Sequence, residues 1–165
     1  MYKLITKKEY LNEKSKYLIF IKKMFENDSN KLANYDKICE HLEYIFTSPY
    51  RNEAFLVFEI EDDELISMVN FYEYDNCKNE WCLFSLFTNQ KFRRLGYGKK
   101  IITYAINLLK NYKCSKLISG IEAENIPSIK LHELVGFKFA NCDWNKLADG
   151  FPENHLGYIY LSDEE

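Results

Sequence analysis

Glycine is scarce in this chain, six residues in 165. Where it is rare, two glycines one residue apart mark a backbone that needs them, and Gly96 and Gly98 form such a pair. No apolar run approaches the ~20 residues that cross a bilayer as a helix. The N-terminus, MYKLITKKEY, lacks the apolar core of a secretory signal. The chain therefore reads as soluble and cytoplasmic, with no membrane partner. No C-x-x-C occurs among Cys39, Cys77, Cys82, Cys114 and Cys142, and their number is odd. That argues against a disulfide framework and fits free thiols in a reducing compartment. None has an adjacent histidine to activate it. His41, His132 and His155 are far apart in sequence, so no metal site is expected. Repeats and low-complexity tracts are absent.

What is present suits one packed domain over residues 1–165. Hydrophobic residues make up 47%, enough for a core, and the 13 Tyr and 12 Phe favour a sheet. The net charge is −3, unevenly spread. Residues 89–100 hold five basic and no acidic side chains, leaving 17 basic against 25 acidic elsewhere, a net of −8. An acidic body argues against a broad nucleic-acid surface. A local basic cluster suits a compact polyanion such as a nucleotide pyrophosphate.

The most informative stretch is 93–98, R-R-L-G-Y-G. A strand-like run at 81–88 leads into it. After it, Ile101, Ile102, Ala105, Leu108, Leu109 and Tyr112 recur at helical steps. The first amides of a helix have no internal partner and sit at the positive end of its dipole. A glycine turn there lets phosphate approach the backbone, and Lys91, Arg93, Arg94, Lys99 and Lys100 crowd the same turn. The Walker spacing is absent. So is the third glycine of a dinucleotide fingerprint, since position 101 is Ile.

A second segment, 125–137, reads N-I-P-S-I-K-L-H-E-L-V-G-F. Pro127 fits a first helical turn and Gly136 a helix end. The two segments in this order, R-x-x-G-x-G opening a helix and then N-x-x-S-x-x-L-H-x-x-x-G-F, resemble the GNAT superfamily of acetyl-CoA-dependent N-acetyltransferases. Within the second, P-S-I-x-x-H-E-x-x-G-F is similar to the phosphinothricin acetyltransferase branch. The resemblance covers roughly residues 80 to 140.

The resemblance implies acetyl-CoA as co-substrate, no metal, a small-molecule or peptide amine as acceptor, and a homodimer as one option. It places the pyrophosphate on Arg93, Arg94, Leu95, Gly96, Tyr97, Gly98 and Lys99, with Gly96 and Gly98 small so that the diphosphate can come close. Leu86, Phe87 and Thr88 match the strand that pairs its backbone with the pantetheine and the thioester carbonyl. A backbone N–H aimed at that carbonyl also stabilises a developing oxyanion. Thr88 stands where the family usually has Val. Asn125 matches a pantetheine contact. His132 occupies the place of a Tyr that donates to sulfur in many members, which makes it a candidate acid. The base is less clear, because the mid-strand Glu of related enzymes is replaced here by Leu83 and Ser85. Glu122, Glu80 and Glu73 are the candidates, Glu122 first.

A coarse pass along the chain gives a strand at 2–5, and a helix at 7–26 opened by a Thr6–Glu9 capping box. That helix has Leu11, Leu18, Ile21 and Phe25 on one side. A loop at 27–31 and a helix at 34–46 follow. Strands are expected at 54–60, 65–74, 80–88 and 116–122, with a charged hairpin tip at 61–64 and a turn at 75–79. The strand at 54–60 should be interior and that at 65–74 should have mixed faces. A final pair, 137–144 and 157–161, is joined by a loop with Gly150, Pro152 and Asn154. This order matches the GNAT layout: an α/β (α+β) fold with a mixed, mostly antiparallel central sheet, helices on both faces, and a parallel strand pair that splays to admit the cofactor. Two other readings stay open, a GNAT-fold CoA-binding sensor or structural protein without transfer, and an unrelated phosphate-binding α/β protein. The acidic body, with carboxylates expected to border the cleft, favours a cationic acceptor amine.

Overall fold

The computed structural model describes residues 1–26, 35–51, 53–74, 79–140 and 155–162. Its strands are β1 (Tyr2–Thr6), β2 (Ala54–Glu61), β3 (Glu64–Glu73), β4 (Glu80–Thr88), β5 (Lys116–Glu122), β6 (Lys138–Phe139) and β7 (His155–Leu161). Its helices, among the described residues, are α1 (Lys7–Phe25), α2 (Tyr35–Thr47), α3 (Tyr97–Lys110) and α4 (Ile126–Leu134). The expected loop at 27–31, most of the turn at 75–79, the end of the 137–144 strand and the loop holding Gly150, Pro152 and Asn154 lie outside the described residues, as do Cys77 and Cys142. Cys39, Cys82 and Cys114 are free thiols.

All seven strands form one sheet in the order β1-β2-β3-β4-β5-β7-β6. Neighbours are antiparallel except β4 and β5. That is the mixed α/β architecture expected. Strand alternation feeds two cores, one on each face. From β2, Leu56 and Phe58 pack beneath α1 and α2, whereas Phe55 and Val57 pack beneath α3. Helices on both sides bury β3 along nearly its whole length, where mixed faces were expected. Helix α1 opens with the Thr6–Glu9 capping box. Its buried residues are Tyr10, Tyr17, Ile21, Met24 and Phe25, so Ile21 and Phe25 face inward as expected whereas Leu11 is 46% exposed. The tyrosine rings bury more surface than a leucine at a neighbouring position, and Tyr10 stacks on Phe46 with centroids 4.2 Å apart.

The central irregularity is in β4. Asn70 of β3 faces Phe84, but Met68 faces Phe87, so β4 carries one extra residue there. Ser85 sits in it with φ +49°. This is a β-bulge, which bends its strand. The parallel pairing of β4 with β5 runs from Glu80 opposite Lys116 to Leu83 opposite Ser119 and stops.

Candidate active site

Past Leu83 and Ser119 the two strands part, and a cleft of about 500 Å³ opens between them. Leu86, Phe87, Glu122, Asn125 and His132 share its wall. Those are five of the residues singled out in the sequence, drawn from β4, β5 and α4.

The glycine turn follows from the end of β4. Asn89 accepts a hydrogen bond from the Lys91 amide at 3.2 Å and opens a short turn over Gln90–Phe92. Arg93 Nε donates to the Thr88 carbonyl at 3.2 Å and ties the turn back to the strand. Arg94 and Gly96 are both left-handed, with φ of +64° and +85°. No side chain caps the first turn of α3, so its leading amides face outward. The two glycines are needed for different reasons. A Cβ on Gly96 would meet nothing within 4 Å, so its requirement is conformational. A Cβ on Gly98 would lie 3.0 Å from Leu131 Cδ2 and 3.5 Å from Thr88 Oγ1. Gly98 therefore lets α3 close on α4. Part of the basic cluster is already engaged by the β2–β3 hairpin: Lys91 pairs with Glu64 at 3.0 Å, and Tyr97 donates to Glu61 at 3.1 Å.

His132 is buried, 2% exposed, with its ring edge-on to Phe137. Its Nδ1 lies 2.8 Å from the Ser128 carbonyl and its Nε2 3.1 Å from Ser119 Oγ. A carbonyl only accepts, so the hydrogen belongs on Nδ1. Nε2 then presents a lone pair to the Ser119 hydroxyl, which donates to it. Burial pushes the His132 pKa below its ordinary value, only partly opposed by the Ser128 carbonyl. The imidazole is thus neutral near pH 7 and set up to accept a proton at Nε2.

Asn125 caps α4, its Oδ1 accepting from the Ser128 amide at 3.2 Å. That leaves the Nδ2 donor for a ligand. Glu122 is exposed at the end of β5, opposite His155 of β7. Glu80 is tied to Lys116 at 2.8 Å in the paired part of the sheet. Neither it nor Glu73 borders the cleft, so the expected carboxylate lining reduces to Glu122.

The wall nearest α2 carries Lys37, His41, Tyr44, Arg51, Tyr72 and Phe84. The sequence analysis attached no role to Lys37, His41, Tyr44, Tyr72 and Phe84, or to Ser119 and Ser128. Two signals were visible: a lone polar Ser85 inside an apolar strand, and the small Ser119-Gly120 pair inside another. Among the described residues no three His, Cys, Asp or Glu side chains group as a metal site, and no helix is long and apolar enough to cross a membrane.

Comparison with known proteins agrees with this geometry. The chain is 25% identical over 136 residues to a [ribosomal protein bS18]-alanine N-acetyltransferase of Haemophilus ducreyi, covering 81% of this chain and 94% of that one. It is 32% identical over 69 residues to a spermine/spermidine N(1)-acetyltransferase of Bacillus subtilis, covering 41% of this chain and 45% of that protein. A GNAT family acetyltransferase from Elizabethkingia anophelis, solved with acetyl-CoA bound, shares the fold with a TM-score of 0.61 at 17% identity, over 74% of this chain and 82% of that one. The Acetyltransferase (GNAT) family model matches residues 21–137, spanning the bulged strand, the glycine turn and most of the cleft, and the chain belongs to that family of acetyltransferases.

Proposed function

We propose that the chain, acting as one unit over residues 1–165, moves the acetyl group of acetyl-CoA to a primary amine by direct attack in the cleft between β4 and β5. One observation carries this reading: the fork between the strands and the uncapped, glycine-shaped start of α3 lie at the same end of β4. The co-substrate brings an electrophilic thioester carbonyl and a thiolate leaving group. The edge of β4 along Leu86, Phe87 and Thr88, beyond the end of the ladder with β5, suits the pantetheine arm. The amides from Arg94 to Lys99, with the Arg93 guanidinium, suit the diphosphate. Asn125 Nδ2 adds a donor beside the arm.

The proton chemistry differs from what a donor at position 132 would give. His132 is the acceptor. A proton from the attacking amine reaches Ser119 Oγ as the Ser119 hydrogen moves to His132 Nε2. Glu122, at the open end of β5, is a second route. The relatives act by name on a protein's alanine and on polyamines, which fits a primary amine. The similarity to the phosphinothricin branch rests on residues 127–137 alone and plays no part here.

Titration with CoA and acetyl-CoA tests the binding half. At a hundredfold excess over Kd, either ligand should stabilise the fold by about 2.7 kcal/mol. That raises Tm by several degrees, at about 2–4 °C per kcal/mol for this size. A flat melting curve with both would sink the assignment of the site. Free-thiol release from acetyl-CoA with a panel of amines tests transfer, and binding without release on any amine would favour the sensor reading.

A further inference from the structure

The wall of the cleft nearest α2 has its own chemistry. Arg51 reaches it from the segment before β2 and is 5% exposed. Its guanidinium is stacked between the rings of Tyr44 and Tyr72, 4.5 Å and 4.2 Å from their centroids. Nη1 donates to the Tyr44 carbonyl at 3.4 Å. The backbone beneath is held as well: Lys7 Nζ donates to the carbonyls of Ser48 and Arg51, at 2.7 and 2.6 Å. A cation this buried, and clamped on both faces, is fixed in direction. Lys37, in the first turn of α2, adds a second positive charge on the same wall. Among the described residues that line the cleft, the one carboxylate is Glu122, across the opening on β5. The molecule is acidic, yet among the described residues this wall carries Lys37 and Arg51 and no carboxylate.

A cationic wall acts on an amine acceptor in two ways. It attracts an anionic group carried by the acceptor. It also lowers the pKa of a nearby ammonium, raising the fraction of free amine that can attack. The second effect matters in a site whose strand lacks a glutamate.

Resting on the transferase reading above, we infer that the acceptor is a primary amine that also bears a carboxylate, held by Arg51 and Lys37 on the α2 wall. Polyamine acceptors are thereby disfavoured, despite the relative that acts on them.

The test uses matched amines: glycine, β-alanine, 4-aminobutyrate and 5-aminovalerate, each against its amide, with cadaverine as the cationic counterpart. Thiol release gives kcat/KM for each, and calorimetry gives binding to free and CoA-loaded protein. At least one carboxylate should exceed its amide by tenfold or more and should exceed cadaverine, with a ratio that shrinks as salt rises. In Arg51→Gln the ratio should fall toward one while CoA affinity is kept. Lys37→Glu, on an exposed helix turn, should lower the ratio severalfold and covers the case in which the Arg51 variant does not fold. An amide or diamine preference overturns the inference. So does a ratio that survives both substitutions, which would make Arg51 only a clasp for its loop. If no amine is turned over, equal binding of acid and amide overturns it too. Failure of CoA to bind at all is read separately, in the CoA titration, and removes the transferase reading instead.

Discussion

The glycine turn and the α2 wall of the cleft are built from different materials. At the glycine turn the groups offered to a ligand are backbone amides, shaped by Arg94 and Gly96 and supplied by one short segment. At the α2 wall they are side chains, Lys37, Tyr44, Arg51 and Tyr72, brought together from three separate segments. A backbone site is indifferent to most side-chain changes and sensitive to conformation. A side-chain site is the reverse. On the proposed function, cofactor recognition would stay constant while the acceptor wall changes chemistry one residue at a time.

The sharpest way to break this contrast is Gly98→Glu. Its Cβ would press on Leu131 Cδ2 at 3.0 Å, and a carboxylate would stand at the proposed diphosphate site. We expect CoA affinity to fall a hundredfold or more by calorimetry, with Tm lowered by a few degrees as α3 and α4 separate. Near-normal affinity in the folded variant would move the diphosphate elsewhere.

His132→Gln comes next, because it touches proton movement rather than the glycine turn or the α2 wall. Turnover should fall by on the order of 10²-fold with CoA affinity little changed. The pH dependence has a defined sign. Burial holds the folded His132 pKa below its ordinary 6.5. As pH falls through 6.5 the unfolded chain takes up that proton and the folded chain does not, so stability drops from there downward and is unaffected above. The loss of Tm between pH 7 and 5.5 should be smaller in His132→Gln than in the wild type. An equal loss would show that the imidazole is not held neutral.

The smallest effect is expected from Asn125→Asp. The carboxylate keeps the cap on α4 but removes the Nδ2 donor. Tm should stay within about 2 °C, while KM for acetyl-CoA rises severalfold. A fall in Tm with unchanged KM would leave Asn125 as a cap alone.

The same contrast explains what could be read from the chain. The glycine turn and the 125–137 helix are contiguous, and a residue type there reports its own backbone: Gly96 its positive φ, Asn125 its cap. The parallel, splayed pair followed from the family resemblance those two segments carry. The α2 wall had no local signature, because Arg51 matters only once Tyr72, on another strand, is folded against it. His132 shows the limit within one residue. Its position was legible, but which ring nitrogen carries the hydrogen depends on the Ser128 carbonyl and on Ser119 of a neighbouring strand. The inner face of α1 held at Ile21 and Phe25 but not at its start, where Tyr10 rather than Leu11 points inward, since periodicity alone allows either.

The bulge at Ser85 has a consequence for how β4 can vary. Before it, Trp81 and Leu83 pack on the α3 side, and Cys82 and Phe84 on the α1–α2 side. After it, Leu86 packs on the α3 side and Phe87 on the α1–α2 side, against Phe25. Unbroken alternation would have placed Phe87 with Trp81 and Leu83. The extra residue is a phase shift, like a dislocation in a crystal row, and the strand beyond it runs in the opposite parity. Removing that residue would leave Leu86 and Phe87 on their present faces but restore a regular, unbent strand that could pair onward along β5. Substitutions along β4 are thus local events, whereas a change in its length would erase the cleft.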